Sequence, residues 1–254
     1  MTQHAAAQYG TPDKLQARVE THRRYSQGPE LEAAVDGVLR LTGDEALLDL
    51  GCGPGAFLAR LQQAGHRGRL VGLDLSEGML TQARIQAPGV EFVQGDAEAL
   101  PFDEASFDVV TARHMLYHVP DIDAALRAAR RVLRPGGLFL AVTNASDYMQ
   151  EWYVPFNAAL SGLRGQHPDA QRFTEKGGPE RVEQVFGEVE VNTLDSALVF
   201  PQPEDALPYF RSLFDEEVPL GAEQRFLDEV AGRLGTQGWC IPKRVLLLSA
   251  KRRE

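Results

Sequence analysis

The chain has 254 residues, 43% of them hydrophobic and 24% charged, an ordinary balance for a globular protein with one sizeable core. Its formal net charge is −10. Phosphate backbones and anionic membranes are held mainly by a lysine and arginine surplus, so no nucleic-acid partner is expected. No apolar run approaches the ~20 residues that cross a bilayer, and the first ten residues lack the basic and apolar regions of a secretion signal. Two cysteines, Cys52 and Cys240, are too few for a disulfide framework or a four-ligand zinc site. A cytoplasmic setting without a metal is expected, with the tail Lys251-Arg252-Arg253 as a solvated end.

Residues 15–25 and 31–41 read as two helices separated by Gly28-Pro29. A short apolar run, 46–50, leads into Gly51-Cys52-Gly53-Pro54-Gly55, and a helix follows over 56–64. The next strand, 70–73, ends at Asp74 before a helix over 77–86. Residues 90–93 and 107–112 are the third and fourth strands, the latter rich in β-branched residues. A helix over 121–133 starts near Asp121 or Asp123. Arg134-Pro135-Gly136-Gly137 reads as a stop and turn before a fifth strand, 138–143. Strands alternating with helices predict a parallel sheet covered on both faces. Beyond Thr143 the pattern changes to an aromatic-rich stretch, a helix over 179–186, a long strand over 189–200, helices over 207–214 and 222–234, and a last strand over 239–250. Two late strands without a crossover helix suggest an antiparallel hairpin at one sheet edge.

The glycine loop between a strand and a helix permits a tight turn and lets a ligand approach bare backbone. The helix behind it offers free N–H groups and a positive dipole end. Gly51, Gly53 and Ala56 also satisfy the dinucleotide-binding spacing. Asp74, ~20 positions on, is placed to accept both ribose hydroxyls of an adenosine-containing ligand. The same place suits a helix N-terminal carboxylate, with Ser76 as N-cap. Asp96, in Gly95-Asp96-Ala97, can accept a hydrogen bond from an exocyclic amine such as adenine's, or serve as a turn aspartate.

Taken in order, Leu48-Asp49-Leu50-Gly51-Cys52-Gly53-Pro54-Gly55, Gly72-Leu73-Asp74-Leu75-Ser76, the Gly95–Phe102 segment Gly-Asp-Ala-Glu-Ala-Leu-Pro-Phe, Phe107-Asp108-Val109-Val110, His114-Met115-Leu116-Tyr117-His118-Val119 and Arg131-Val132-Leu133-Arg134-Pro135-Gly136-Gly137 resemble the class I S-adenosylmethionine-dependent methyltransferases. The group of ubiquinone/menaquinone-type and small-molecule enzymes is the most similar, and the resemblance covers residues 45–143. It implies a Rossmann-like doubly wound α/β sheet of seven strands, the last antiparallel, with helices on both faces. The whole chain would be one domain: N-terminal helices over 1–44, a cofactor core over 45–143, and substrate-covering insertions with the edge hairpin over 144–254. It also implies S-adenosyl-L-methionine as cofactor. Asp49 and the Gly51, Cys52, Gly53 loop would hold its methionine part. Asp74 would bind the ribose, Leu75 and Met79 the adenine face, and Asp96 and Ala97 the adenine edge. The segment of residues 111–114, with Arg113 and His114, and then His118, would lie near the sulfonium. The cofactor's carboxylate can meet Arg23, Arg24 or Tyr25 on the N-terminal helix, since arginine pairs well with carboxylates; the alternative is a solvated helix face.

Methyl transfer from a sulfonium is an in-line displacement in which positioning supplies much of the rate. A general base is needed only where the acceptor loses a proton, and His114, Tyr117 and His118 follow the fourth strand at its carboxyl end, where open sheets bind ligands. Specificity is expected in residues 145–180 and 201–217, whose Tyr148, Trp152, Tyr153, Phe156, Tyr209, Phe210 and Phe214 would line an apolar pocket or pack as core. A small apolar or aromatic acceptor is expected. An NAD-dependent oxidoreductase and a non-catalytic binding protein of the same fold are the alternatives; the acidic Asp49 before the first glycine and the order of later motifs speak against the first.

Overall fold

The computed structural model describes residues 12–160, 168–214 and 217–253. Residues 161–167 and 215–216, parts of the two expected covering segments, lie outside the described residues, as do residues 1–11. The chain opens with α1 (Pro12–Tyr25), the short β1 (Ser26–Gln27) and α2 (Leu31–Leu39). The alternating core follows: β2 (Leu47–Leu50), α3 (Ala56–Gln63), β3 (Leu70–Asp74), α4 (Glu77–Gln86), β4 (Glu91–Gln94), β5 (Phe107–Arg113), α5 (Ile122–Val132) and β6 (Leu133–Asn144). The remainder comprises α6 (Tyr153–Leu160), α7 (Gly178–Phe186), β7 (Glu190–Phe200), α8 (Leu207–Ser212), α9 (Ala222–Ala231) and β8 (Trp239–Lys251).

The sheet order is β1-β7-β8-β6-β5-β2-β3-β4. The strands from β4 to β6 pair in parallel, and β8 runs antiparallel to both β6 and β7. This is the expected doubly wound α/β sheet with one difference. An eighth strand exists because Ser26 and Gln27 pair with Leu198 and Ala197 at the edge. The late strands form the expected antiparallel pair at that side of the sheet, with β8 next to β6 and β7 outside it. Fully buried parallel strands read as continuous apolar runs, and all four residues of β2, Leu-Leu-Asp-Leu, are buried.

One face of the sheet is closed by α5 and α7. Helix α5 buries Ile122, Ala125, Leu126, Ala128, Ala129 and Val132, one apolar stripe at helical spacing. Asp121 caps it, accepting the Ala124 N–H at 2.9 Å, while Asp123 pairs with Arg181 of α7 at 2.6 Å. The opposite face packs on α2 and α3 through Val35, Leu39, Phe57, Leu58 and Leu61. A third cluster, beyond the carboxyl ends of the strands, joins Trp152, Phe156, Phe200, Phe210, Phe226 and Trp239.

Two expectations are corrected here. Arg134-Pro135-Gly136-Gly137 is not a turn that separates a helix from a strand. Strand β6 starts at Leu133, the register to β5 shifts between Phe107 and Val109, and Gly136 at φ +80 donates its N–H to the Arg252 carbonyl at 2.7 Å. The motif is a bulge inside a continuing ladder, with glycine where the backbone turns left-handed. The basic tail is solvated at Lys251 and Arg253 but not at Arg252. The Arg252 side chain is only 13% exposed and donates to the carbonyls of Arg130, Arg131 and Leu133 and to Glu104. It therefore satisfies the last carbonyls of α5, which have no partner within the helix.

Candidate active site

The chain leaves β2 for β3 and β4 on one side, then crosses back from β4 to β5 on the other side of β2. Ligands of open α/β sheets bind at the carboxyl ends of the strands at such a switch point. The turn from β2 into α3 uses Gly51 at φ +62, Gly53 at φ +54 and Gly55 at φ +80. A Cβ on Gly51 would stand 2.7 Å from Met115 Cβ, and one on Gly55 2.9 Å from Ala83 Cβ, so packing as well as torsion requires glycine at both. A Cβ on Gly53 would meet nothing within 4 Å. The backbone there is open for another molecule to approach.

Two aspartates flank this loop. Asp74, at the end of β3, accepts the Gly53 N–H on Oδ2 and the Ser76 N–H on Oδ1, both at 2.9 Å. It thereby ties the glycine turn to the next strand. Ser76 is also the N-cap of α4, accepting the Met79 N–H at 3.4 Å, so the capping reading and a ligand role for Asp74 coexist. Asp49 is 3% exposed and accepts the Thr111 hydroxyl of β5 at 2.6 Å. Burial pushes its carboxyl up to about 6, against the opposing pull of Arg113 and the Thr111 hydroxyl. Cys52 is buried, its thiol pushed well above its usual range by burial, and its N–H donates to Leu73.

Beyond Asp74 the surface turns apolar where a flat ring would lie. Leu75 is 42% exposed, Met79 is half-buried, and Ala97 is buried. Asp96 is exposed and its Oδ1 accepts the Glu98 N–H at 2.9 Å. These residues follow the carboxyl ends of β3 and β4, so the structure brings Asp49, the glycine loop, Asp74, Leu75 and Asp96 along one rim of the sheet.

Four other expected residues have partners within the protein. Arg113 pairs with Glu32 of α2 and lies 4.3 Å from the Phe57 ring centroid. Its charge is felt at Asp49. Tyr25 donates its hydroxyl to Asp205 at 2.7 Å, and Arg24 stacks on the Tyr25 ring at 5.2 Å. Arg23 pairs with Glu20 of its own helix at 2.7 Å.

After β5 the chain passes through His114 at φ +51 into the short 3-10 turn Leu116–His118. Burial, then Arg113, His22 and His118, push the His114 imidazole down to about 4. Tyr117 is buried in the core, with its ring 4.4 Å from that of His118. Sequence reasoning missed two residues beside them. Lys243 is 8% exposed on β8; its Nζ donates to Ser26 Oγ at 2.7 Å and lies 3.5 Å from Nδ1 of His22 on α1. The signal was present in the alternation of β8, where Lys243 shares the inward parity of Trp239, Ile241, Val245 and Leu247. Of the expected pocket aromatics, Trp152, Phe156 and Phe210 are core of the third cluster, whereas Tyr148, Tyr153, Tyr209 and Phe214 are half-buried around it. The Tyr209 ring meets His22 edge-on at 5.8 Å.

A doubly wound sheet with an antiparallel β8 and a glycine turn flanked by Asp49 and Asp74 is the arrangement that the resemblance to class I S-adenosylmethionine-dependent methyltransferases leads one to expect. Residues 48–141 match the family model described as a methyltransferase domain. The phthiotriol/phenolphthiotriol dimycocerosates methyltransferase of Mycobacterium leprae is 41% identical over 129 residues, 49% of this chain and 48% of that one. The demethylmenaquinone methyltransferase of Lactococcus lactis is 41% identical over 103 residues, 38% of this chain and 41% of that one. The chain thus spans about half or less of the length of these relatives. A candidate methyltransferase of Bacillus halodurans C-125 shares the fold at a TM-score of 0.62 and 23% identity, covering 87% of this chain and 98% of the other. Among the described residues no helix is long and apolar enough to cross a membrane.

Proposed function

We propose that this chain transfers a methyl group from S-adenosylmethionine to a small apolar or aromatic acceptor. One observation carries the reading: two carboxylates bracket an open glycine turn, Asp49 buried beneath it and Asp74 tied to its Gly53 N–H at 2.9 Å. The residues fit the cofactor by donor chemistry. Asp49 suits an ammonium group, since a buried carboxylate gains most from a nearby cation. Gly51 and Gly53 offer backbone to the amino-acid end. Each Asp74 oxygen uses one acceptor direction on a backbone N–H and retains another for a ribose hydroxyl. Leu75, Met79 and Ala97 offer apolar contact to adenine, and Asp96 accepts from its amine.

When bound, the cofactor supplies a methyl group already activated on a sulfonium, so the protein's task is placement and, for a protic acceptor, proton removal. His114 is neutral at pH 7 and can take a proton; His118 and Tyr117 stand beside it. Arg113 acts through Asp49, holding its carboxylate ionised. The chain works as one unit in which the segment beyond Asn144 covers the cofactor core and selects the acceptor, in a cytoplasmic setting that fits its acidic balance. The names of the two curated relatives fit an apolar acceptor.

Calorimetric titration with S-adenosylmethionine and S-adenosylhomocysteine, with NADH as control, tests the reading. Micromolar affinity for the adenosyl ligands and none for NADH is expected. Binding of NADH alone would replace it with an oxidoreductase, and binding of neither would leave a fold without this activity.

A further inference from the structure

Lys243 is the least expected group on the inner face of the sheet. Val245 and Leu247, its neighbours of the same parity, belong to the cluster under α2 and α3, while Ile241 and Trp239 belong to the aromatic cluster beyond the strand ends. The lysine lies where the two meet. Since Asn144, the last residue of β6, pairs with Val245, Lys243 stands just past the carboxyl ends of the parallel strands. The chain leaves β5 a few residues short of that level, through His114, whose N–H donates to Val142 of β6 and whose imidazole feels His22, the neighbour of Lys243.

A buried ammonium without a counter-ion is costly, and proteins pair such groups as a rule. Both hydrogen-bonding partners given for Lys243, Ser26 and His22, are uncharged: burial, then the charge of Lys243 itself, push the His22 imidazole down to about 4. Acids carried by or bonded to the adjoining segments have partners of their own. Asp147 pairs with Arg244, Asp205 accepts from Tyr25, and Glu175 accepts from Ser146. Burial lowers the Lys243 ammonium to about 8, with no acid acting to raise it. It is thus still a cation at pH 7. Half-buried tyrosines, Tyr148, Tyr153 and Tyr209, border the same region, with Tyr148 held far above its usual range by burial and by the other two hydroxyls.

We propose that Lys243, with His22 and Ser26 as its uncharged supports, is the anion-recognition group of the acceptor site, so that the acceptor is a small aromatic molecule carrying an ionised oxygen. The anion of the acceptor supplies the missing counter-charge. The half-buried tyrosines cover its flat apolar part, and His114, with the 3-10 turn that follows it, lies on the other side of His22. A carboxylate and an acidic phenol share this chemistry.

This inference rests on the methyltransferase reading, and its test separates the two. The full chain is first titrated with S-adenosylhomocysteine; absence of binding there removes the methyltransferase reading. The chain saturated with S-adenosylhomocysteine is then titrated at pH 7 with 2-naphthoate, 2,4-dinitrophenolate, 2-naphthylmethanol and 2-naphthylmethylammonium. At least one anion is expected to bind about tenfold or more tighter than the alcohol and the cation. A preference for the naphthoate assigns a carboxylate acceptor, and the reverse a phenol. Lys243→Met should abolish the preference and leave affinity for S-adenosylhomocysteine and the alcohol within about twofold, whereas Lys243→Arg should retain it. Equal binding of all four probes, no binding of either anion, or an undiminished anion preference in Lys243→Met overturns the proposal. The charge ranking of the unaltered chain needs no variant and decides the matter should Lys243→Met fail to fold.

Discussion

Asp74→Ala is the substitution whose consequences separate most cleanly into fold and ligand. In the free protein it removes two hydrogen bonds, from the Gly53 and Ser76 N–H groups to Oδ2 and Oδ1, each 2.9 Å long. The carboxylate is half-buried, so water replaces much of what is lost and the net cost is about 1 kcal/mol. For a chain of this size that lowers the melting temperature by roughly 2–4 °C. The ligand loses more. Two hydroxyl bonds to an ionised acceptor are worth ~1.5 kcal/mol each at the low end, about 3 kcal/mol together. At ~1.4 kcal/mol per decade the dissociation constant for S-adenosylhomocysteine rises roughly 100-fold. Isothermal titration of both proteins gives the ratio directly, with a melting curve as the control for folding. Affinity within threefold of the unaltered protein, at a melting temperature lowered as expected, would refute the ribose assignment and leave Asp74 only as the tie between the glycine turn and α4.

Gly51→Ala forces a left-handed torsion at φ +62 and a contact 2.7 Å from Met115 Cβ. A loss of ~2 kcal/mol in urea unfolding, together with weakened cofactor binding, is expected. Asp49 makes pH a probe, because its folded carboxyl is raised to about 6. The native state binds its proton more tightly than the unfolded chain, so stability falls as pH rises from ~4 to ~6, by an order-of-magnitude 2–3 kcal/mol. Asp49→Asn should therefore raise the melting temperature of the ligand-free protein at pH 7.5 while weakening S-adenosylmethionine binding. In the unaltered protein that binding should weaken as pH falls below about 6, and a flat profile would contradict the ionised role. Arg252→Ala uncovers the last carbonyls of α5 and breaks the Glu104 pair. It should cost ~2 kcal/mol of stability with affinity for S-adenosylhomocysteine unchanged.

The proposed cofactor half of the site could be read from the sequence because its geometry is local. A strand, a turn requiring positive φ at Gly51, Gly53 and Gly55, and a helix follow one another, and Asp74 returns to the Gly53 N–H from only 21 residues away. The proposed acceptor half was hidden because its groups meet across the chain. Lys243 reaches His22 over 221 residues, which needs both the insertion of β8 between β6 and β7 and the docking of α1. Arg24 and Tyr25 illustrate the same limit. Charge logic pointed them at the cofactor carboxylate, but the position of α8 and the Pro203–Ala206 turn decides that Tyr25 meets Asp205. The bulge at Gly136 escaped notice because a proline-glycine run looks alike whether it ends a ladder or deforms one. The depth at which Arg252 docks depends on that bulge, through the paired bonds between Gly136, Gly137 and Arg252.

The position of β8 sets an order of assembly. On the ribosome every parallel strand, from β2 through β6, is synthesised before residue 145, and the carboxylate-flanked turn can organise with them. Strand β7 then has no neighbour to its inner side until Trp239–Lys251 emerges, and until that moment the apolar edge of β6 stands open to pairing with other chains. The strand Trp239–Lys251, made after all its partners in the sheet, is thus the keystone that joins the two halves, and it carries Lys243 with it. On the function proposed above, a nascent chain able to hold its cofactor would still lack the means to grip an acceptor until that strand docks.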